Sequence, residues 1–315
     1  MQIFNITSRI IITCSNRLSP YLLKEIETLG YKSERVFKTG VELQGTLQDC
    51  IKLNLNLRCA SQVLFSLKIF KAFNADHVYE ALKDMEWENI LPADGYFSIS
   101  SNVSNETITN NLFANVKVKD AIADRFREKI GSRPDSGAEL IGAVIHLYWK
   151  EDNAEIFLDT SGETLSKHGY RKIPGKAPML ESLASAVIYA TNWNKKTPLI
   201  NPMCGSGTIA IEAAMIATNR TPGLYRHNYS FKHLLGFEQS MYEKEYEIIQ
   251  AQVEENNELK ITVGDISEDA INIARINAGI AGVEDMLVYE VCDFQNTTLP
   301  EVEGSVIILD RKSVV

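Results

Sequence analysis

Apolar and polar positions alternate in short runs at the start of the chain and then give way to helical spacing. RIIITCS from Arg9 reads as a strand, Pro20 to Gly30 as a helix closed by glycine, and KSERVFKTG with VELQG as a hairpin through Gly40. Thr46 or Asp49 is placed to open the helix LQDCIKLNLNLRCA, and SQVLFSLKIF returns as a strand. Two βαβ-like units of this size predict a ferredoxin-like domain over residues 1–68. From Ala75 the pattern changes. NADHVYEALKDMEWENI is a helix capped near Asn74 or Asp76, YFSISSNVS alternates as a strand, and AVIHLYWK with AEIFLDTS forms a hairpin across Glu151-Asp152-Asn153. Between them Phe113 to Ile130 is an amphipathic helix ended by Gly131, with Val116, Ile122, Phe126 and Ile130 on or near one face.

The second half carries the chemistry. MLESLASAVIYA, from Met179, is an apolar helix, and Pro198-Leu-Ile is a short buried strand that turns through Asn201-Pro202-Met203-Cys204-Gly205-Ser206-Gly207-Thr208 into the helix IAIEAAMIA. Glycine lets such a turn bend with positive φ and lets a ligand touch bare peptide, while the helix start offers unpaired N–H groups. Two more strands end in carboxylates: ITVGD at Asp265, followed by the helix SEDAINIARINAGIAG, and MLVYEVCDF at Asp293-Phe294. An acid at the second strand end suits a ribose diol, and an acid with an aromatic at the third suits an adenine. Gly205-x-Gly207-x-x-Ala210 also satisfies the loose dinucleotide fingerprint of a nicotinamide-dependent oxidoreductase. That fold expects its ribose acid about 20 residues past the glycines, whereas Asp265 comes much later, beyond an insertion that contains a long polar helix.

The chain has 315 residues, 45% hydrophobic and 23% charged, enough for two or three domains. No run is long and apolar enough to span a bilayer, and the N-terminus lacks a basic n-region and a long h-region, so a cytoplasmic protein is expected. Cys14, Cys50, Cys59, Cys204 and Cys292 lack metal-binding spacing and are expected as reduced thiols, with Cys204 a small packing residue and Cys292 in a strand core. No metal site is expected. A net charge of −9 argues against a polyanion-coating protein, so any nucleic-acid contact must be local.

Two local basic segments stand out. Lys117, Lys119, Arg125, Arg127 and Lys129 of the long helix, with Arg133 just beyond it, set against Asp120, Asp124 and Glu128, make this segment net positive by three (six bases minus three acids). On charge alone a solvated face with intrahelical ion pairs is the simpler explanation. SGETLSKHGYRKIPGKAP, residues 161–178, reads as a linker in which Lys167, His168, Arg171, Lys172 and Lys176 outnumber Glu163. Tyr170 is a candidate there to stack on a base, with a solvated hinge as the alternative for the whole stretch, and His168 is expected to make a surface contact.

SGETLSKHGYRK, KAPMLESLASA, NPMCGSGTIAIEAA, the GDIS turn and the CDF turn, in this order, resemble the bacterial THUMP-domain RNA methyltransferases. Members act on guanine N2 of 23S ribosomal RNA and are often labelled N6-adenine-specific DNA methylases. The resemblance covers nearly the whole chain, and NPMCGSGT is its most specific stretch. It implies an α/β fold with an α+β N-terminal part: the ferredoxin-like domain, a THUMP RNA-binding domain over 69–160, the linker, and over 179–315 a truncated Rossmann-like class I methyltransferase domain that binds S-adenosyl-L-methionine. It places Asn201, Gly205 and Gly207 at the methionine end, Asp265 on the ribose, and Asp293 with Phe294 on the adenine; Pro202, Cys204, Thr208 and Ile266 complete the expected cofactor set. Lys117, Lys119, Arg125, Arg133, Tyr170, Arg171 and Lys172 become candidate RNA contacts.

One departure is plain. The family's Asn/Asp-Pro-Pro-Tyr/Phe motif should follow the fourth strand, Ser305 to Leu309, but Asp310 is followed by Arg311-Lys312-Ser313-Val314-Val315. Without the prolines and the aromatic, Asp310 is assigned no catalytic role. The ending also matches a translated sequencing adapter, which predicts a gene fragment with a foreign tail, an uncovered sheet edge and a tendency to aggregate. Three functions stay open: an RNA methyltransferase, with an adenine-N6 DNA methyltransferase as a variant; an RNA-binding module without catalysis; and the disfavoured oxidoreductase.

Overall fold

The computed structural model describes residues 3–106, 110–175, 178–256 and 258–310. The first part runs β1 (Ser8–Thr13), α1 (Ser19–Thr28), β2 (Arg35–Phe37), β3 (Gly40–Gly45), α2 (Leu47–Asn56) and β4 (Gln62–Lys71). Ile10 and Ile12 of β1 point into the core while their neighbours stay partly exposed, so the alternation fixes which face the helices cover. Thr46 opens α2 with a capping box: its hydroxyl accepts from Asp49 N at 3.3 Å and the Asp49 carboxylate accepts from Thr46 N at 2.7 Å. β1 lies antiparallel between β3 and β4, the ferredoxin-like arrangement.

The second part runs α3 (Ala75–Lys83), β5 (Tyr96–Ser104), α4 (Asn111–Ile130), β6 (Asp135–Gly137), β7 (Ala143–Lys150) and β8 (Asn153–Asp159). β8 pairs antiparallel with β4 from Leu64↔Asp159 to Lys71↔Asn153, so both parts share one eight-stranded sheet of order β2-β3-β1-β4-β8-β7-β5-β6. β4 thereby runs across residue 68, the expected boundary. The short polar β6 carries no alternation and escapes a sequence reading. The buried stripe of α4 is Ala114, Val118, Ala121, Ile122 and Phe126, whereas Val116 and Ile130 are 44% and 47% exposed. Its alanines let α4 sit close to its neighbours, a role that hydrophobicity alone underweights.

The third part runs α5 (Glu181–Ala190), β9 (Leu199–Asn201), α6 (Thr208–Ala217), α7 (Gln239–Ala251), β10 (Ile261–Asp265), α8 (Glu268–Ala281), β11 (Leu287–Val291) and β12 (Val306–Ile307). Its strands are all parallel in the order β11-β10-β9-β12, so the chain reverses direction across the sheet between β9 and β12. Ligands of such sheets sit beyond the strand C-termini at that switch point. β12 is shorter than the expected strand, and residues 311–315 lie outside the described residues. Cys292 lies past the end of β11 and is half-buried, so it is not the strand-core residue expected.

A buried polar junction joins the third part to the first. Glu25 of α1 accepts from the backbone N–H groups of Arg58 and Cys59 at 3.2 and 3.0 Å and from the Tyr189 hydroxyl at 3.2 Å. The Arg58 guanidinium donates to Arg220 O at 2.8 Å and lies 3.9 Å from the Glu212 carboxylate. Glu212, on α6, also takes the Ser185 hydroxyl at 2.7 Å and faces His168 Nδ1 at 2.7 Å. His168 is fully buried, its Nε2 lying 2.9 Å from Arg58 O, which corrects the expected surface contact. Both its ring nitrogens meet acceptors, an arrangement the doubly protonated ring satisfies in full.

Burial raises the Glu212 carboxyl, but His168 and then Arg58 outweigh burial and hold it below its ordinary 4.5. Its ionised form therefore stabilises the fold above that pH, and the contribution fades on acidification. Glu212→Gln is expected to cost about 3–5 kcal/mol at neutral pH, because it leaves buried cations unpaired. The gap from wild type, read by urea unfolding, should narrow as the pH falls below 4.5; a gap independent of pH contradicts the assignment.

The helix-covered face of the small sheet is buried at Leu199, Ile261, Val263 and Ile308, but Val288, Ile307 and Leu309, alternating with its buried positions, are 42%, 51% and 56% exposed. An exposed apolar face beside β12, an edge strand of this sheet among the described residues, favours self-association. Val288→Lys with Ile307→Lys should shift size-exclusion profiles towards monomer. A wild-type protein that is already monomeric, with one sharp thermal transition, counts against this.

Candidate functional site

The turn after β9 is built by two glycines with different tasks. Gly207, at φ +80°, packs so closely on α8 that a Cβ would lie 2.8 Å from the Ala274 Cβ. Gly205, at φ +54°, has no atom within 4 Å of where its Cβ would be, so it leaves bare peptide facing open space. Asp265, at the end of β10, holds this turn: its Oδ2 accepts from Gly205 N at 2.9 Å and its Oδ1 from Ser267 N at 3.0 Å. Cys204 N donates to Gly264 O at 2.8 Å, a second tie between the turn and β10. Past β11, Asp293 caps its own turn by accepting from Gln295 N at 3.0 Å.

Two clefts meet at Met203 above these strand ends. One, of 490 Å³, is lined by Pro202, Met203, Asp265, Ile266, Asp293, Phe294 and Leu309. The other, of 160 Å³, includes Met179, Met203, Cys204, Gly205, Thr208 and Asp310. Most expected cofactor residues are thus brought together along one edge. Asn201 and Gly207 line neither cleft and lie beneath. Asn201 is fully buried, and its Nδ2 donates to Ile308 O at 3.0 Å, tying β9 to β12, while its Oδ1 has no hydrogen-bond partner. Burial, then the Asp265 charge, pushes the Cys204 thiol up to about 12. A thiol so held stays protonated at neutral pH and packs rather than attacks.

Met203, Leu309 and Met179 escaped the sequence reading. Asp310 had a readable signal: like Asp293, it stands just past a strand end, and Asp265 ends its own strand. Among the described residues, no group of three or more His, Cys, Asp or Glu is placed to hold a metal ion, and no helix is long and apolar enough to cross a membrane.

The candidate basic contacts divide. On α4, Lys117 pairs with Asp76 at 2.7 Å and Arg125 chelates Glu88, with Nε 3.0 Å from Oε2. Lys119 is half-buried, and Arg133 is exposed beyond the helix. Tyr170 is fully buried, its ring meeting Tyr225 edge-on at 6.2 Å, so it is a core residue and has no face for a base. Arg171 is engaged as well: it donates to Met179 O at 2.8 Å, lies 3.3 Å from Thr208 Oγ1 and pairs with Glu181, which makes it a brace of the turn. Lys172 keeps an exposed side chain.

Family models match three segments: an RlmL ferredoxin-like domain over residues 9–64, a THUMP domain over 72–159 and an RMKL-like methyltransferase domain over 168–311. Among solved structures, the chain is similar to a protein of Clostridium difficile 630 described as a possible methylase, with 30% identity, a TM-score of 0.87, and coverage of 98% of this chain and 81% of that one. It is similar to a predicted N6-adenine-specific DNA methylase from Listeria monocytogenes str. 4b F2365, with 30% identity, a TM-score of 0.86, and coverage of 96% and 79%. It is also similar to SMU.472, a candidate methyltransferase complexed with SAH, with 26% identity, a TM-score of 0.85, and coverage of 97% and 80%.

The two glycines should respond differently to substitution. Gly207→Ala meets both a left-handed backbone, about 1–2 kcal/mol, and the α8 contact, so it should unfold at clearly lower urea than Gly205→Ala. Equal midpoints for the two variants contradict the packing role given to Gly207.

Proposed function

The chain belongs to the THUMP-containing class I methyltransferases, and we propose that it serves methyl transfer from S-adenosyl-L-methionine to an exocyclic amine of an RNA base, guanine N2 of 23S ribosomal RNA being the expected target. The cofactor is that of the family, and SAH, found with SMU.472, is its demethylated product. One observation carries the reading: the clefts that meet at Met203 run from Asp293 and Asp265 to bare peptide at Gly205. The lining fits an adenosine joined to an amino acid. Each Asp265 oxygen accepts one backbone N–H and keeps capacity for a ribose hydroxyl. Phe294 and Ile266, half and more exposed, offer apolar surface for an adenine beside Asp293. Cys204, Gly205 and Thr208 line the smaller lobe, where the methionine end fits, with Pro202 and Met203 between.

When bound, the cofactor supplies an electrophilic methyl group, and the protein's part is to orient it and keep water away. Asp310 borders the lobe beside Gly205. Because Arg311-Lys312-Ser313 follow it in place of Pro-Pro-aromatic, no catalytic residue is assigned, and we expect the chain as it stands to bind without efficient turnover. That same feature favours the second reading, an RNA-binding module without catalysis. RNA is preferred over DNA on the THUMP match and on Lys119 and Arg133; the Listeria relative's description keeps adenine-N6 DNA methylation as the alternative. All five cysteines are free, in keeping with a cytoplasmic setting.

Calorimetric titration with SAH tests the site. Asp265→Asn should weaken binding about 10–100-fold, the worth of a charge-assisted hydrogen bond of ~1.5–3 kcal/mol, and Gly205→Ala should weaken it by filling the open space. A wild-type protein that does not bind SAH, or variants that bind it equally well, overturn the placement.

A further inference from the structure

Residues 163–174 and 178–181 form one wall of a further cleft, of 600 Å³, whose opposite wall is residues 225–228 of the insertion before β10. This cleft adjoins the cofactor site. It shares Pro178 with the lobe beside Gly205, and Arg171 on its wall lies 3.3 Å from Thr208 Oγ1 on the other.

Its walls are fixed. Buried Arg226 donates to the carbonyls of Glu163, Thr164 and Lys167 at 2.8, 2.8 and 2.9 Å. Gly169, at φ +95°, sits so close to the insertion that a Cβ would lie 2.7 Å from Tyr225 O. Asn277 of α8 accepts from Lys172 N and Ile173 N at 3.2 and 3.3 Å and returns a bond to Ile173 O at 3.0 Å. Residues 163–173, with the composition of a loose linker, are therefore tied against the methyltransferase domain.

The cleft is also positive. Its lining has four Lys and Arg against two Glu, a balance of +2, in a chain whose net charge is −9. Arg171 is matched by Glu181, and Arg226 gives its bonds to carbonyl oxygens, so neither is free to reach a ligand. The reachable groups are Lys167, whose exposed pair with Glu163 is weak, together with Lys172 and His227, whose side chains are exposed with no partner recorded among the described residues.

We infer that this cleft holds the phosphodiester backbone of the nucleic-acid strand next to the base presented at the Gly205 lobe. The inference rests on the proposed RNA methyltransferase reading and adds a location and a strand path to it. Fixed walls matter here because the backbone that carries Lys167 and Lys172 is already held and loses little freedom on binding.

The test uses the full chain, SAH, and a fluorescein-labelled RNA hairpin with a single-stranded tail, titrated at several salt concentrations. The wild type should bind the RNA. Lys167→Gln with Lys172→Gln should make the slope of log K against log salt shallower by about 1.4, the loss of two single-strand phosphate contacts at ~0.7 each, and Lys172→Gln alone should give about half of that. SAH affinity should be unchanged in both variants, which shows that they are folded. If the wild type binds RNA and the double variant keeps the full slope, the cleft is not the strand path, while the RNA reading stands. If the wild type binds SAH but not RNA, the RNA reading fails and the inference falls with it.

Discussion

A buried carboxylate fixes how the parts of this molecule meet. Glu212 stands one turn into the helix that starts at the glycine turn, and it is reached by Ser185 from α5, by His168 from the segment before it, and by Arg58 from the ferredoxin-like part. A charge so enclosed is tolerable only while every partner stays in place. Each partner is consequently held in register with the helix that begins at the glycine turn. The large sheet cannot pivot freely over the small one, because the carbonyl and guanidinium of Arg58 both end in this junction.

From that fixed helix the site follows by geometry. A parallel sheet sets its strand C-termini along one edge, so acids distant in sequence, Asp265 and Asp293, line one cleft. Gly207 allows α6 to pack on α8, while Gly205 keeps the peptide bare above it. Asp265 braces Gly205 N and still faces the cleft, so one carboxylate both shapes the turn and is available to a ligand. Asn201 plays the matching part on the other side by holding β12, and with it Asp310, beside the turn.

What could be read from the sequence is what local signals encode. Glycine turns, strand-end acids and a capping residue such as Thr46 act within a few positions, and these gave the strand–turn–helix core and the ferredoxin-like order. The errors in the linker share one cause. Tyr170, Arg171 and His168 lie in a run rich in glycine, proline and base, which by composition reads as solvated, but their partners Tyr225, Glu181 and Glu212 come from other elements that only the fold brings near. The face of α4 was misjudged for a packing reason, since Ala114 and Ala121 are buried by close approach and not by hydrophobicity. The second wall of the basic cleft, His227 and Asn228, belongs to an insertion with no periodic pattern to draw attention to it.

The central claim is that a cofactor lies along the two lobes joined at Met203, with its sugar at Asp265 and its amino-acid end at Gly205. A crystal structure of the protein grown with SAH tests this most directly. Electron density is expected for the ribose against Asp265, the adenine beside Phe294 and the homocysteine at Gly205. Density for SAH elsewhere, or an empty cleft at saturating SAH, would contradict it.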